Sequence, residues 1–169
     1  MRELCAPHPL PADLSRSVFL AGTIDMGTAA PWQAAFIREL ADLDGVILNP
    51  RRPDWDASWT RTDPRFREQV DWELTALERA SLIAMWFEPG SRSPITLLEL
   101  GLHVRSGKLL VGCPTGFSRA GNVEITCARY GAPVYDSWST FVTAVRSYSS
   151  VWKQPTASSA GSSLEPSTR

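Results

Sequence analysis

The chain has 169 residues, 43% of them hydrophobic and 21% charged, which suffices for one packed domain and is too little for two. A formal net charge of -1 excludes a general electrostatic pull towards a nucleic-acid backbone or an acidic membrane. Any nucleic-acid connection is therefore expected through a small metabolite and not a polymer, and no apolar run reaches the roughly 18–20 residues that span a bilayer.

Residues 1–15 read as a flexible leader, because Pro7, Pro9 and Pro11 oppose regular structure. This segment has no apolar stretch of the kind a secretory signal needs. Ser17–Ala21 is the first candidate strand, with Gly22 to turn the chain. A helix is expected from Pro31 to about Leu43, with Trp32, Phe36 and Leu40 at helical spacing. Val46–Asn49 is a second strand. Asp63-Pro64 reads as a cap and first-turn proline opening a helix whose apolar face would be Phe66, Val70, Leu74, Leu77 and Ala80.

Leu82–Phe87 is apolar throughout, as in a strand covered on both faces. Ser93-Pro94 repeats the cap-and-proline signal and Gly107 ends that helix. A fourth strand at Lys108–Gly112, a helix near Asn122–Arg129, a fifth strand at Pro133–Tyr135 and a helix from Ser139 follow. Residues 153–169, rich in Ser, Pro, Thr and Ala, read as a disordered tail, leaving one domain over 16–152. The alternation predicts an α/β fold: a flavodoxin-like, doubly wound, five-stranded parallel sheet with helices on both faces. Ligands in such sheets bind beyond the carboxyl ends of the strands.

Polar residues gather at those strand ends. They include Gly22, Thr23 and Asp25; Arg51, Asp54 and Trp55; Ser91 and Ser93; and Asn122. Arg51, Arg52, Arg92 and Arg119 suit a 5'-phosphate, or equally salt bridges to acids such as Asp54 and Asp56. Ser91 and Ser93, beside a helix N-terminus, suit a phosphate or a sugar hydroxyl, although capping alone would explain Ser93. Trp55 suits stacking on a base or packing as a lid.

The sharpest signal is Glu99, the one carboxylate in the almost wholly apolar run Ile95–Leu102. A carboxylate is expensive to bury unless it is paired or used, and apolar neighbours would raise its pKa. Such groups act as nucleophiles on anomeric carbons, although composition alone equally allows an exposed glutamate or one paired to an arginine. Glu99 and His103 are one turn apart, but the only other histidine is His8, so no metal and no cofactor are expected. No dinucleotide fingerprint or P-loop pattern is present.

The segment Leu98-Glu99-Leu100-Gly101 resembles the E-[LM]-G motif of the nucleoside 2-deoxyribosyltransferases. Val18–Gly22, the acidic stretch Glu68–Ala80 with the strand after it, Asn49–Asp56 and Gly121–Glu124 are similar to further segments of a deoxyribosyltransferase-like subfamily. The resemblance covers about residues 17–136. It implies Glu99 as nucleophile, and Glu73, ahead of Asp71, as the acidic residue that addresses the leaving base. These two carboxylates diverge by roughly 200° around a helix, so one of them faces the site. Asn122 resembles a residue that binds the sugar or orients the nucleophile, from a neighbouring subunit of a homo-oligomer.

The resemblance departs at Ala80-Ser81, where the family has an aspartate-bearing dipeptide, and in a longer loop at Glu88–Ser93. It implies an enzyme that passes the glycosyl group to a second base or to water, with a hydrolase of nucleoside 5'-monophosphates as one alternative and a non-catalytic nucleotide-sensing module as another. Its partner is a small-molecule nucleoside or nucleotide. Cys5, Cys113 and Cys127, odd in number and widely spaced, read as reduced thiols of a cytoplasmic protein.

Overall fold

The computed structural model describes residues 1–24 and 31–152. It contains β1 (Arg2–Cys5), β2 (Ser17–Gly22), α1 (Trp32–Glu39), β3 (Val46–Asn49), α2 (Pro64–Arg79), β4 (Leu82–Trp86), α3 (Pro94–His103), β5 (Leu109–Gly112), α4 (Ala120–Tyr130), β6 (Val134–Tyr135) and α5 (Trp138–Ser150). All strand pairs are parallel, in the order β1-β3-β2-β4-β5-β6. Without β1 this is the 2-1-3-4-5 order of a flavodoxin-like sheet.

The sheet has six strands and not five, because part of the expected leader is a strand. Arg2–Cys5 pairs along the whole of β3 and so occupies the sheet edge. Its prolines all follow Cys5, where they cannot disturb the ladder. Asn49 Nδ2 fastens this edge with a 2.7 Å hydrogen bond to Glu3 Oε1. The expected tail at 153–169 lies outside the described residues.

Side chains alternate across each strand, and that alternation divides the core in two. Phe19, Ala21, Ile83, Met85 and Val111 face a layer formed by α2, α3 and α4. Val18, Leu20, Leu82, Ala84, Trp86 and Leu110 face α1 and α5, where Phe36, Trp138 and Phe141 form a ring cluster. No helix among the described residues is long and apolar enough to cross a membrane.

Two helices depart from expectation. The buried face of α2 is Gln69, Trp72, Ala76 and Leu77, while Leu74 is 40% exposed. The apolar pattern misassigns this face because polar residues occupy part of the buried side. At α3, Pro94 opens the helix as predicted, but Ser93 makes no capping bond from its side chain. Asp63 does cap α2, accepting from the Arg65 amide at 2.9 Å.

Gly22 ends β2 where the backbone of β4 presses against it. Its φ is +150°, and a Cβ there would lie 2.5 Å from the Trp86 carbonyl oxygen and 2.7 Å from the Trp32 ring. Only glycine fits both the torsion and the gap. Gly22→Ala is expected to lose about 3 kcal/mol of folding stability, seen as a lower midpoint in urea unfolding. An unchanged midpoint would show that β2 and β4 can part without loss.

Candidate active site

Strand order reverses between β2 and β4, so the crevice of this sheet opens past their carboxyl ends. The chain leaving β2 is locked to the chain leaving β4. Fully buried Thr23 donates its amide to the Trp86 carbonyl at 3.0 Å, and its Oγ1 accepts from the Glu88 amide at 3.0 Å. The same hydroxyl bonds those of Ser91, at 3.3 Å, and Ser93. Ser91 Oγ also donates to the Glu88 carbonyl at 2.7 Å and lies 2.8 Å from Ser93 Oγ.

Ser93 is the one non-glycine with positive φ among the described residues, at 45°. A left-handed serine is strained by about 1 kcal/mol, and this hydroxyl cluster over-determines it. The result is a sharp turn that sets the direction of α3. Thr23, Ser91 and Ser93 thus come together as the sequence suggests, and their mutual bonds make them a latch that aims the helix.

Glu99 lies on the inner face of α3 with Thr96 and Leu100, 8% exposed. Among the described residues it has no hydrogen bond and no cation. Burial pushes its pKa from 4.5 up to about 8, and the nearby Glu73 carboxyl pushes the same way. Glu73, on the half-buried side of α2, is also raised by burial. Its Oε1 accepts a 2.7 Å hydrogen bond from Gln69 Nε2, which opposes that rise. A carboxyl from α2 thus lies near the one on α3 in an apolar setting, and burial raises both.

Asp71 is exposed on the other side of α2, 3.4 Å from Arg67. The structure therefore brings Glu73, and not Asp71, to Glu99. Asp25 lies outside the described residues. Asn122 is exposed in the first turn of α4. Arg92 and Arg119 are exposed as well.

The loop after β3 is organised by Arg52. Its buried guanidinium grips Asp54 through two bonds, at 2.8 and 3.2 Å, reaches Glu68 at 3.2 Å and lies over the Trp59 ring. Asp54 and Arg52 thus form a salt bridge, the second of the readings their sequence allows. Trp55, 37% exposed, packs edge-on against Trp59. Arg51 points elsewhere, donating to Gln33 Oε1 at 3.4 Å, beside a cavity of about 230 Å³ that Glu3, Ile37 and Asn49 also line. That cavity does not include Glu99. No group of histidines, cysteines and acids among the described residues could hold a metal ion.

Gln69 was not legible as a site residue. Its buried position inside α2, at a spacing of four from Glu73, was the available signal, but the apolar pattern hid which face was covered.

A carboxyl held above its ordinary value keeps its proton in the folded chain after the unfolded chain has released it. Stability from Glu99 is therefore full below about pH 4.5 and is lost as pH rises to about 8. Glu99→Gln should match wild type at pH 4.5 and exceed it by a few kcal/mol at pH 8.5. Urea unfolding at the two values checks this, and a difference independent of pH would contradict the buried state of Glu99.

No curated protein sequence matches the chain. A family model described as nucleoside 2-deoxyribosyltransferase like matches residues 15–117. That span runs from the start of β2 past β5, and contains the latch, Glu73 and Glu99. It covers more than half of the sequence, and the chain belongs to the nucleoside 2-deoxyribosyltransferase-like family.

Proposed function

We propose that the protein cleaves or transfers the N-glycosidic bond of a nucleoside or nucleotide. The observation that carries this reading is Glu99, buried without a cation beside Glu73 on a helix whose first turn the latch holds. In the form of the pair that leaves its one proton on Glu73, a minority form near neutral pH because burial favours protonated Glu99, the Glu99 carboxylate attacks the anomeric carbon. The bond to the base nitrogen breaks, and the base leaves with its electron pair and a proton from Glu73. The glycosyl ester then yields to a nitrogen of a second base or to water, whose proton returns to Glu73, and Glu99 is released. Partition between the two acceptors separates a transferase from a hydrolase.

A hydrolase of nucleoside 5'-monophosphates is the second reading. Arg51 supports it, since among the described residues its guanidinium makes a single 3.4 Å hydrogen bond and retains further donors for phosphate. The three cysteines are unpaired, which suits a reducing cytoplasm. Ile95, Leu98 and Leu102 form an outward stripe on α3, each 57–59% exposed, and support a homo-oligomer.

Nucleosides and 5'-monophosphates, each with and without an acceptor base, should give free base or exchanged product by chromatography. Glu99→Ala should lose at least about a thousandfold in rate. Equal rates for both proteins would remove Glu99 as nucleophile, and ligand binding without any turnover would favour a sensing module. Light scattering should report an oligomer that Leu102→Lys dissociates. A monomeric wild type would end the assembly proposal.

A further inference from the structure

Gln69 is 3% exposed, inside α2, one turn before Glu73. Its amide meets two groups at once: the Pro50 carbonyl oxygen at 2.6 Å and Glu73 Oε1 at 2.7 Å. A carbonyl oxygen can only accept, so the amide nitrogen and not its oxygen must face Pro50. The two hydrogens of that nitrogen are then both committed, one to Pro50 and one to Glu73. Gln69 Oε1 is left buried with no partner. A buried acceptor without a partner is a cost to folding, so the arrangement is not the one that packing alone would favour.

The consequence falls on Glu73. The oxygen that receives the Gln69 hydrogen bond cannot itself carry a proton towards that donor. We infer that Gln69 is a positioning residue that confines the transferable proton of Glu73 to Oε2 and ties the orientation of this carboxyl to the loop after β3. The inference rests on the glycosidic reading of Glu99 and Glu73 and adds the residue that orients the acid. Pro50 directly precedes Arg51, so the tie also couples the acid to the loop that borders the Arg51 cavity.

The charged groups on the neighbouring elements are few. On α2, Glu68 and Asp71 are ion-paired with Arg52 and Arg67. The loop after β3 brings Arg51 and Arg52, and α3 brings Glu99 and, one turn on, His103. Gln69 is the one neutral donor to Glu73 among the described residues. Its bond favours the ionised carboxyl, against the effect of burial. Without it, Glu73 would keep its proton to higher pH.

The test is Gln69→Met, which keeps the length of the side chain and removes the donor. Base release should fall about tenfold in kcat with KM within twofold. The alkaline limb of the pH–rate profile should move up by about one unit. A loss of rate with the limb in place would assign Gln69 a structural role only and overturn the inference, as would an unchanged rate. Should the variant fail to fold, the unaltered protein decides by NMR. The Gln69 side-chain amide resonances should follow the titration of the carboxyl pair, and invariance through that titration overturns the inference. These resonances remain readable if no glycosidic turnover is found, so failure of the proposed function is distinguishable from failure of this assignment.

Discussion

A carboxyl shut away from water, with a second carboxyl as its nearest charge, is the constraint around which the carboxyl end of this sheet is arranged. Burial of an ionised group without a counter-charge costs several kcal/mol, and the group responds by holding its proton. Glu99 does so, with its pKa raised to about 8. A flexible helix would relieve that condition by turning the side chain to solvent. The chain therefore needs a rigid mounting for α3, and the latch of Thr23, Ser91 and Ser93 supplies it.

That mounting depends in turn on how closely β2 and β4 approach. Gly22 admits the Trp86 backbone, and Thr23 then reaches Trp86 and Glu88 across the strand ends. Trp32 Nε1 closes the other side with a 3.0 Å bond to the Thr23 carbonyl. The apolar layers on both faces fix the strands, the strands fix the latch, and the latch fixes the helix that carries Glu99. Strain at Ser93 is tolerated because three hydroxyls and a proline leave that residue no other conformation.

The loop after β3 is built on a different principle. Arg52 is buried by pairing, through two acids and an aromatic ring, so that its charge organises the loop. Arg51, its neighbour in sequence, is nearly uncommitted. Adjacent side chains on irregular backbone point apart, and here the division separates a structural arginine from one with donors to spare. Gln69 joins this loop to the acidic pair, so the backbone at Pro50 and the Glu73 carboxyl are mechanically linked.

How much of this was legible in the sequence follows from the range of each interaction. Val46–Asn49, the Asp63 cap and the apolar run of β4 were readable because a short apolar run after a glycine, capping and two-sided burial leave local patterns. Glu99 stood out because one charge in an apolar helix is a local anomaly, and Glu73 because its segment resembles that of a family. The sixth strand was missed because Pro7, Pro9 and Pro11 mark the segment as irregular, although all follow Cys5, and its pairing with β3 spans more than forty residues. The buried face of α2 was misread because Gln69 and Glu73 are polar, and polarity reads as exposure until the facing helix is known. The sequence by itself determined the α/β alternation and the single acid within a mostly apolar helical run, both of which are set by neighbours within a few turns. Only the tertiary structure decided that Glu73 and not Asp71 lies near that acid, that two acids grip Arg52 while Arg51 makes a single bond to Gln33, and that Gln69 bonds Glu73, because each is a contact between elements that the chain brings together from far apart.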